Sequence, residues 1–169
     1  MEIIYRRLQA EDTKAYRQIR LEALKLFPEN FGSTYEEESA KPRLAFETYI
    51  EQQTPGKFIT GAFYGDELVG ICGFARDESL RNRHKGTIIQ MYVRPQFAGR
   101  GIGLALLQNT VNDAFKLEGV EQLVLGVITT NLPAVRVYEK AGFTTFGLQH
   151  NYFKDGENYL HQQCMVLSR

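Results

Sequence analysis

Apolar and polar positions change period several times along the chain, and each change marks an element. Ile3, Ile4, Tyr5 and Leu8 predict a short first strand, with a helix start at Glu11-Asp12. Ala15, Ile19, Leu21, Ala23, Leu24 and Leu26 then recur at roughly helical spacing. Pro28 and the Asn30-Phe31-Gly32-Ser33 cluster end that helix. A second helix is predicted from about Pro42 to Gln52, because proline suits a first turn. After the Thr54-Pro55-Gly56 turn, Phe58–Tyr64 and Leu68–Ala75 read as strands joined by a hairpin at Gly65-Asp66. Arg81–Gly86 reads as a polar connection, followed by a β-rich strand, Thr87–Val93, which Pro95 stops.

The period then changes from two to that of a helix. After Gly99-Arg100-Gly101-Ile102-Gly103 comes Leu104–Leu117, with Leu107, Val111, Ala114 and Phe115 on one face and Gly119 at its close. Leu123–Ile128 has the length of a buried strand. Strand, helix and strand in succession form a βαβ unit, right-handed by the usual rule. Asn131–Ala141 is another helix, and Phe143–Phe153 with Tyr159–Leu167 form a closing hairpin around Lys154-Asp155-Gly156. The fold class is α/β, a single domain over residues 1–169 with a mixed sheet.

Composition narrows the classes. The chain has 169 residues and is 43% hydrophobic, an ordinary globular balance without the low hydrophobicity of a disordered chain. Twenty basic and 20 acidic residues give zero net charge, which argues against a dedicated nucleic-acid binder. Cys72 and Cys164 with three His make a zinc ribbon or disulfide scaffold a poor reading, and no metal site is expected. The longest apolar run is too short to span a membrane, and Met1-Glu2-Ile3-Ile4-Tyr5-Arg6-Arg7 does not read as a signal peptide. The expectation is a soluble cytoplasmic protein.

The densest chemical signal is the glycine-rich turn. Gly99, Gly101 and Gly103 lie between a strand and an amphipathic helix, where free N–H groups and the helix dipole make an anion site. The expected ligand is a phosphate or pyrophosphate. No Gly-Lys-Ser/Thr follows, and Leu104 and Leu106 stand where a dinucleotide fingerprint needs its third glycine. Arg81, Arg83, Lys85, Arg94 and Arg100 surround the turn in sequence, with no Asp or Glu between Ser79 and Asn112. The bland alternative is a turn that only caps a helix, within a solvated basic face.

On these residues the sequence resembles the GNAT superfamily of acyl-CoA-dependent N-acetyltransferases, whose signature is Arg/Gln-x-x-Gly-x-Gly/Ala between strand and helix. The preferred register is Ala98-Gly99-Arg100-Gly101-Ile102-Gly103, with Ala98 in place of Arg or Gln. The pattern also fits two residues earlier, from Gln96. A second motif, Asn131-Leu-Pro-Ala-Val-Arg-Val-Tyr138-Glu-Lys-Ala-Gly142-Phe143, follows at the expected distance. The resemblance implies a central mixed, mostly antiparallel sheet with helices on both faces. It implies acetyl-CoA as co-substrate, with backbone at Met91, Tyr92 and Val93 pairing with the pantetheine arm. Gly99, Arg100, Gly101, Ile102, Gly103 and Leu104 would hold the pyrophosphate, and Asn131 would contact the arm. Tyr138 would be the general acid for the leaving thiolate, although alone it would read as a core residue.

Direct attack of a neutral amine on a thioester also needs a proton acceptor, since an alkyl ammonium titrates near ~10.4. Relatives often carry a Glu on the strand before the glycine loop; here it offers Thr87, Ile89 and Gln90. A water-relayed base or an amine delivered neutral fills the role, with Glu36, Glu37, Glu38 and His150 as candidates by proximity alone. Acceptor-recognition candidates are Phe31, Ser33, Tyr35 and Glu36, in what reads as an irregular connection bordering the acceptor cleft. Residues Glu29 to Glu51 carry a local net charge of −4 (six acids, two bases), suited to a cationic amine or simply to solubility. The expected acceptor is a primary amine of a small molecule, amino-acid-like or a polyamine. A protein N-terminus is the runner-up, and a non-catalytic acyl-CoA sensor the reading from another class. Family analogy also implies a homodimer, which no sequence feature here demonstrates.

Overall fold

A computed structural model describes residues 2–169; Met1, which opens the stretch read as no signal peptide, lies outside the described residues. Seven strands form one sheet: β1 (Ile3–Arg7), β2 (Lys57–Tyr64), β3 (Glu67–Arg76), β4 (Lys85–Val93), β5 (Gln122–Ile128), β6 (Thr144–Asp155) and β7 (Asn158–Ser168). Their order is β1-β2-β3-β4-β5-β7-β6, antiparallel at every step except β4–β5, which is parallel. The mixed, mostly antiparallel sheet expected from the sequence is therefore present. Helix α4 (Ile102–Phe115) makes the crossover between the two parallel strands.

The helices divide between the faces. Buried Leu106, Leu107, Val111 and Ala114 of α4, with Val135 and Tyr138 of α5 (Leu132–Lys140), pack on one side against Phe74, Ile88, Leu125 and Met165. On the other side, α1 (Thr13–Leu26) and α3 (Ala45–Gln52) bury Tyr16, Ile19, Ala23, Phe46 and Ile50 against Ile59, Ile71 and Tyr92.

Several boundaries differ from expectation for local reasons. The Phe27–Glu38 connection contains a helix, α2 (Tyr35–Ala40). Thr34 Oγ accepts the Glu37 N–H at 3.2 Å while Glu37 receives the Thr34 N–H in return, so a Thr-x-x-Glu capping box nucleates it. Helix α3 starts at Ala45 instead of Pro42, because the carboxylate of buried Glu47 takes the Leu44 backbone N–H and pairs with Arg17 at 3.0 Å. Lys85 and Gly86 belong to β4 and not to the preceding connection; a Cβ on Gly86 would overlap the Phe74 ring. In α1, Leu26 of the expected apolar stripe is exposed, whereas Tyr16 and Arg20 are buried.

Candidate active site

Strand β4 positions the site through a one-residue irregularity. Its pairing with β3 shifts register between Ile71 and Gly73, and Gln90 at the shift has φ 54°. The bulge sends Ile89 and Gln90 toward the α1 face and returns Met91 and Val93 to the α4 side. The Tyr16 hydroxyl donates to Gln90 Oε1 at 2.7 Å, so a buried phenol on α1 holds the strained residue. Further along, Tyr92 Oη donates to Glu22 Oε1 at 2.9 Å, and Arg94 bonds both Glu22 and Glu67.

The other edge of β4 opens. Only Lys85, Gly86 and Thr87 pair with β5; beyond Val124 the two strands diverge. Because the Arg94 N–H bonds Val69 on β3, the antiparallel alternation turns the N–H and C=O of Val93 and Met91 toward the opening. The side chains of Met91, Tyr92 and Val93 pack instead into the two cores.

At the C-terminal end of β4 the chain enters the glycine turn. Gly99 and Gly101 have φ 75° and 77°, and open space lies where their Cβ atoms would be, so backbone conformation selects glycine there. Gly101 caps α4, and Gly103 falls in the first turn, in line with the preferred register. The first helical hydrogen bond runs from the Ala105 N–H to Gly101 O at 3.1 Å, so among the described residues the N–H groups from Gly99 through Leu104 have no backbone acceptor. Such a row fits a pyrophosphate without side-chain help.

The basic residues expected around this turn do not gather there. Arg94 is committed to Glu22 and Glu67, and Arg81 and Arg83 precede β4 at its far end, roughly 25–30 Å away for nine strand residues. Arg100 stays beside the turn, exposed, its guanidinium 5.6 Å from the Phe97 ring centre.

Asn131 caps α5 through its side chain, which accepts the Ala134 N–H at 3.4 Å. Tyr138 lies on the buried side of that helix, 7% exposed, edge-on to Phe143. Burial, and secondarily Cys72 nearby, pushes its phenol well above the ordinary value. It therefore remains a proton donor throughout the neutral range.

On the α1 face, the opening between β4 and β5 leads into a cleft of about 550 Å³. Phe31 and Ser33 line it, as do Thr87–Gln90, Val124–Gly126 and Gln162. Of the other acceptor candidates, Tyr35 lies under Lys25 at 5.4 Å and Glu36 is exposed; neither lines the cleft. The expected acidic mouth is largely consumed by structure: Glu37 caps α2, and Glu38, Glu47 and Glu51 pair with Lys41, Arg17 and Arg43. His150 is exposed against the His161 ring.

Two features shape this cleft that the sequence reading missed. A second bulge in β6, with Asn151 at φ 54° and its N–H bonded to His161 Nδ1, turns Tyr152 and Phe153 toward the α1–α2 connection. There Phe153 comes so close to Gly32 that a Cβ on that glycine would sit 3.3 Å from its Cζ, and both residues line the cleft. The other is Arg20, a charged residue at a stripe position between Tyr16 and Leu24, which was the available sequence signal.

A parted parallel strand pair, a glycine turn at the adjoining helix and a cleft below stand together in the fold of an N-acetyltransferase. The profile of the Acetyltransferase (GNAT) family matches residues 18–143, and the chain belongs to that family. It is 34% identical over 74 residues to an N-alpha-acetyltransferase of Sulfurisphaera tokodaii, a match spanning 44% of each chain. A [ribosomal protein bS18]-alanine N-acetyltransferase of Salmonella typhimurium is 29% identical over 84 residues, 50% of this chain and 55% of that one. These matches span only about half the length of the relatives. Among solved structures, a GNAT-family acetyltransferase from Streptococcus pneumoniae superposes with TM-score 0.82 at 21% identity, covering 99% of this chain and all of that one.

Proposed function

We propose that this protein transfers the acetyl group of acetyl-CoA to the primary amine of a small molecule held in the cleft on the α1 face. The observation that carries the reading is the parting of β4 from β5 between the glycine turn and that cleft. Acetyl-CoA supplies a thioester whose carbonyl carbon is open to an amine. The N–H groups of Gly99–Leu104 are placed to bind its pyrophosphate, and the free edge of β4 at Met91 and Val93 to line up its pantetheine arm by strand-like pairing. Tyr138 lies under the opposite face from the cleft, so it protonates the departing sulfur while the amine enters from the α1 side. Among the described residues no carboxylate or imidazole lines the cleft, so the amine arrives neutral or loses its proton to water.

The relatives' names favour a second reading, a protein N-terminus as acceptor. The Gly32–Phe153 contact favours the small acceptor, because it narrows the space between the α1–α2 connection and β6 that an extended peptide would cross. An acetyl-CoA consumption assay across polyamines, amino acids, aminoglycosides and short peptides decides between them, with Tyr138→Phe as control. Turnover confined to peptides would overturn the small-acceptor reading. Acetyl-CoA binding without turnover on any of them would replace it with the sensor.

A further inference from the structure

Among the described residues, Arg20 is the single charged side chain lining the cleft. It sits on the core-facing stripe of α1 and is 6% exposed, yet its Nη1 has no hydrogen-bond partner. No ion pair reaches it among the described residues. Its neighbours are treated differently. Arg17, one turn earlier, pairs with Glu47, and Arg94 has two carboxylates. Glu38 is the acid whose charge Arg20 senses, but that carboxylate is held by Lys41 at 2.5 Å. The Phe31 ring lies 5.0 Å from the guanidinium and faces the same cleft.

A buried guanidinium without a partner is costly to maintain, and cores do not leave one where a carboxylate would do. Its planar fork matches a carboxylate at two points, and apolar walls strengthen that pairing by excluding water. We infer that Arg20 is the receptor for an acidic group on the acceptor, which is therefore a small amine that also carries a carboxylate, as α-amino acids do. This rests on the acetyltransferase reading. The remaining walls agree with it. Asn30, Ser33, Gln90 and Gln162 offer neutral polar groups, and Phe146, Tyr152 and Phe153 offer aromatic surface. The same positive charge disfavours a nearby ammonium, which lowers the amine's pKa where no side chain is present to take its proton.

The test compares α-amino acids with their C-terminal amides and with the decarboxylated amines. Acetyl transfer is measured as kcat/KM, and binding of each probe to the CoA-loaded protein by calorimetry, in the wild type, Arg20→Gln and Arg20→Lys. Melting curves establish that each variant is folded. The wild type is expected to prefer acid over amide by at least about tenfold, because the amide leaves the guanidinium unpaired. Arg20→Gln is expected to erase that ratio with CoA affinity unchanged, and Arg20→Lys to lower it, since an ammonium keeps the charge without the fork. Equal kcat/KM and binding for acid and amide in the wild type would overturn the inference, as would a preference that survives Arg20→Gln. Should Arg20→Gln not fold, an undiminished ratio in Arg20→Lys overturns it equally. Failure to acetylate any amine would defeat the acetyltransferase reading by itself. Calorimetric preference for the acid, lost on substitution, would still assign Arg20.

Discussion

The two edges of β4 have opposite fates. Toward β3 the strand is paired from Gly86 to Val93, interrupted by one bulge; toward β5 it is paired for three residues and then stands free. An unpaired internal edge is ordinarily a defect, since each exposed N–H and C=O invites another strand. Here the free edge is aimed at a cleft and flanked by a row of uncommitted N–H groups, while the paired edge is pinned to α1 through Gln90, Tyr92 and Arg94. The difference separates an edge that carries stability from an edge that the proposed function assigns to binding, within nine residues of a single strand.

The largest effect should fall on the chemistry proposed beside the open edge. Tyr138→Phe keeps the packing and removes the proton donor, so kcat should drop by about 10²–10⁴ with little change in acetyl-CoA affinity, read by steady-state kinetics and calorimetry. Unchanged kcat at saturation would remove Tyr138 from the chemistry. On the paired edge, fully buried Ile71→Ala should cost about 2–5 kcal/mol of stability by denaturant unfolding while kcat per folded molecule holds. Gln90→Ala touches both edges: it strips the buried Tyr16 hydroxyl of its partner, costing about 1–3 kcal/mol, and loosens the bulge, so stability and kcat should fall together. Loss of stability alone would show that the bulge is only architectural.

Smaller effects sharpen the contrast through pH. With no carboxylate or imidazole lining the cleft among the described residues and the Tyr138 phenol pushed up by burial, kcat/KM should rise with pH as the amine deprotonates and should not fall again below about pH 10. Burial pushes the Cys72 thiol up to about 12, so in native protein at pH 8 it should resist alkylation and become reactive only in denaturant. Far from both edges, burial favours a protonated Asp12, but Arg6 and the Gln9 N–H outweigh it and hold its pKa below the ordinary value. A depressed carboxylate stabilises above its unfolded pKa and loses that contribution as pH falls through the folded one. Asp12→Asn should therefore lower Tm more at pH 7 than at pH 3.

Much of the fold was legible because its signals are local. The glycine turn, the Asp155-Gly156 hairpin and the helix that starts at Asn131 each depend on a few adjacent residues, and all stand where the pattern put them. The Thr34–Glu37 capping box is equally local, but the loop-forming residues around it mask its signal. The candidate site was less legible. Phe31 and Ser33 were placed near the acceptor by resemblance and do line the cleft, but Tyr35 and Glu36 do not. The run of acids that read as an attractive mouth proved to be capping and pairing groups, and the five cations lie at opposite ends of β4.

Sequence alone determined the class of fold, the glycine turn and the helix that carries Tyr138, because short-range backbone preferences and periodicity encode them. Tertiary structure decided where β4 leaves β5, which charges cancel, and that Arg20 reaches the cleft without a partner. Those outcomes depend on which residues distant in the chain meet, as Tyr16 meets Gln90 and Gly32 meets Phe153. A charge at a helical stripe position is visible in a sequence, but whether an opposite charge neutralises it is a property of the packed sheet.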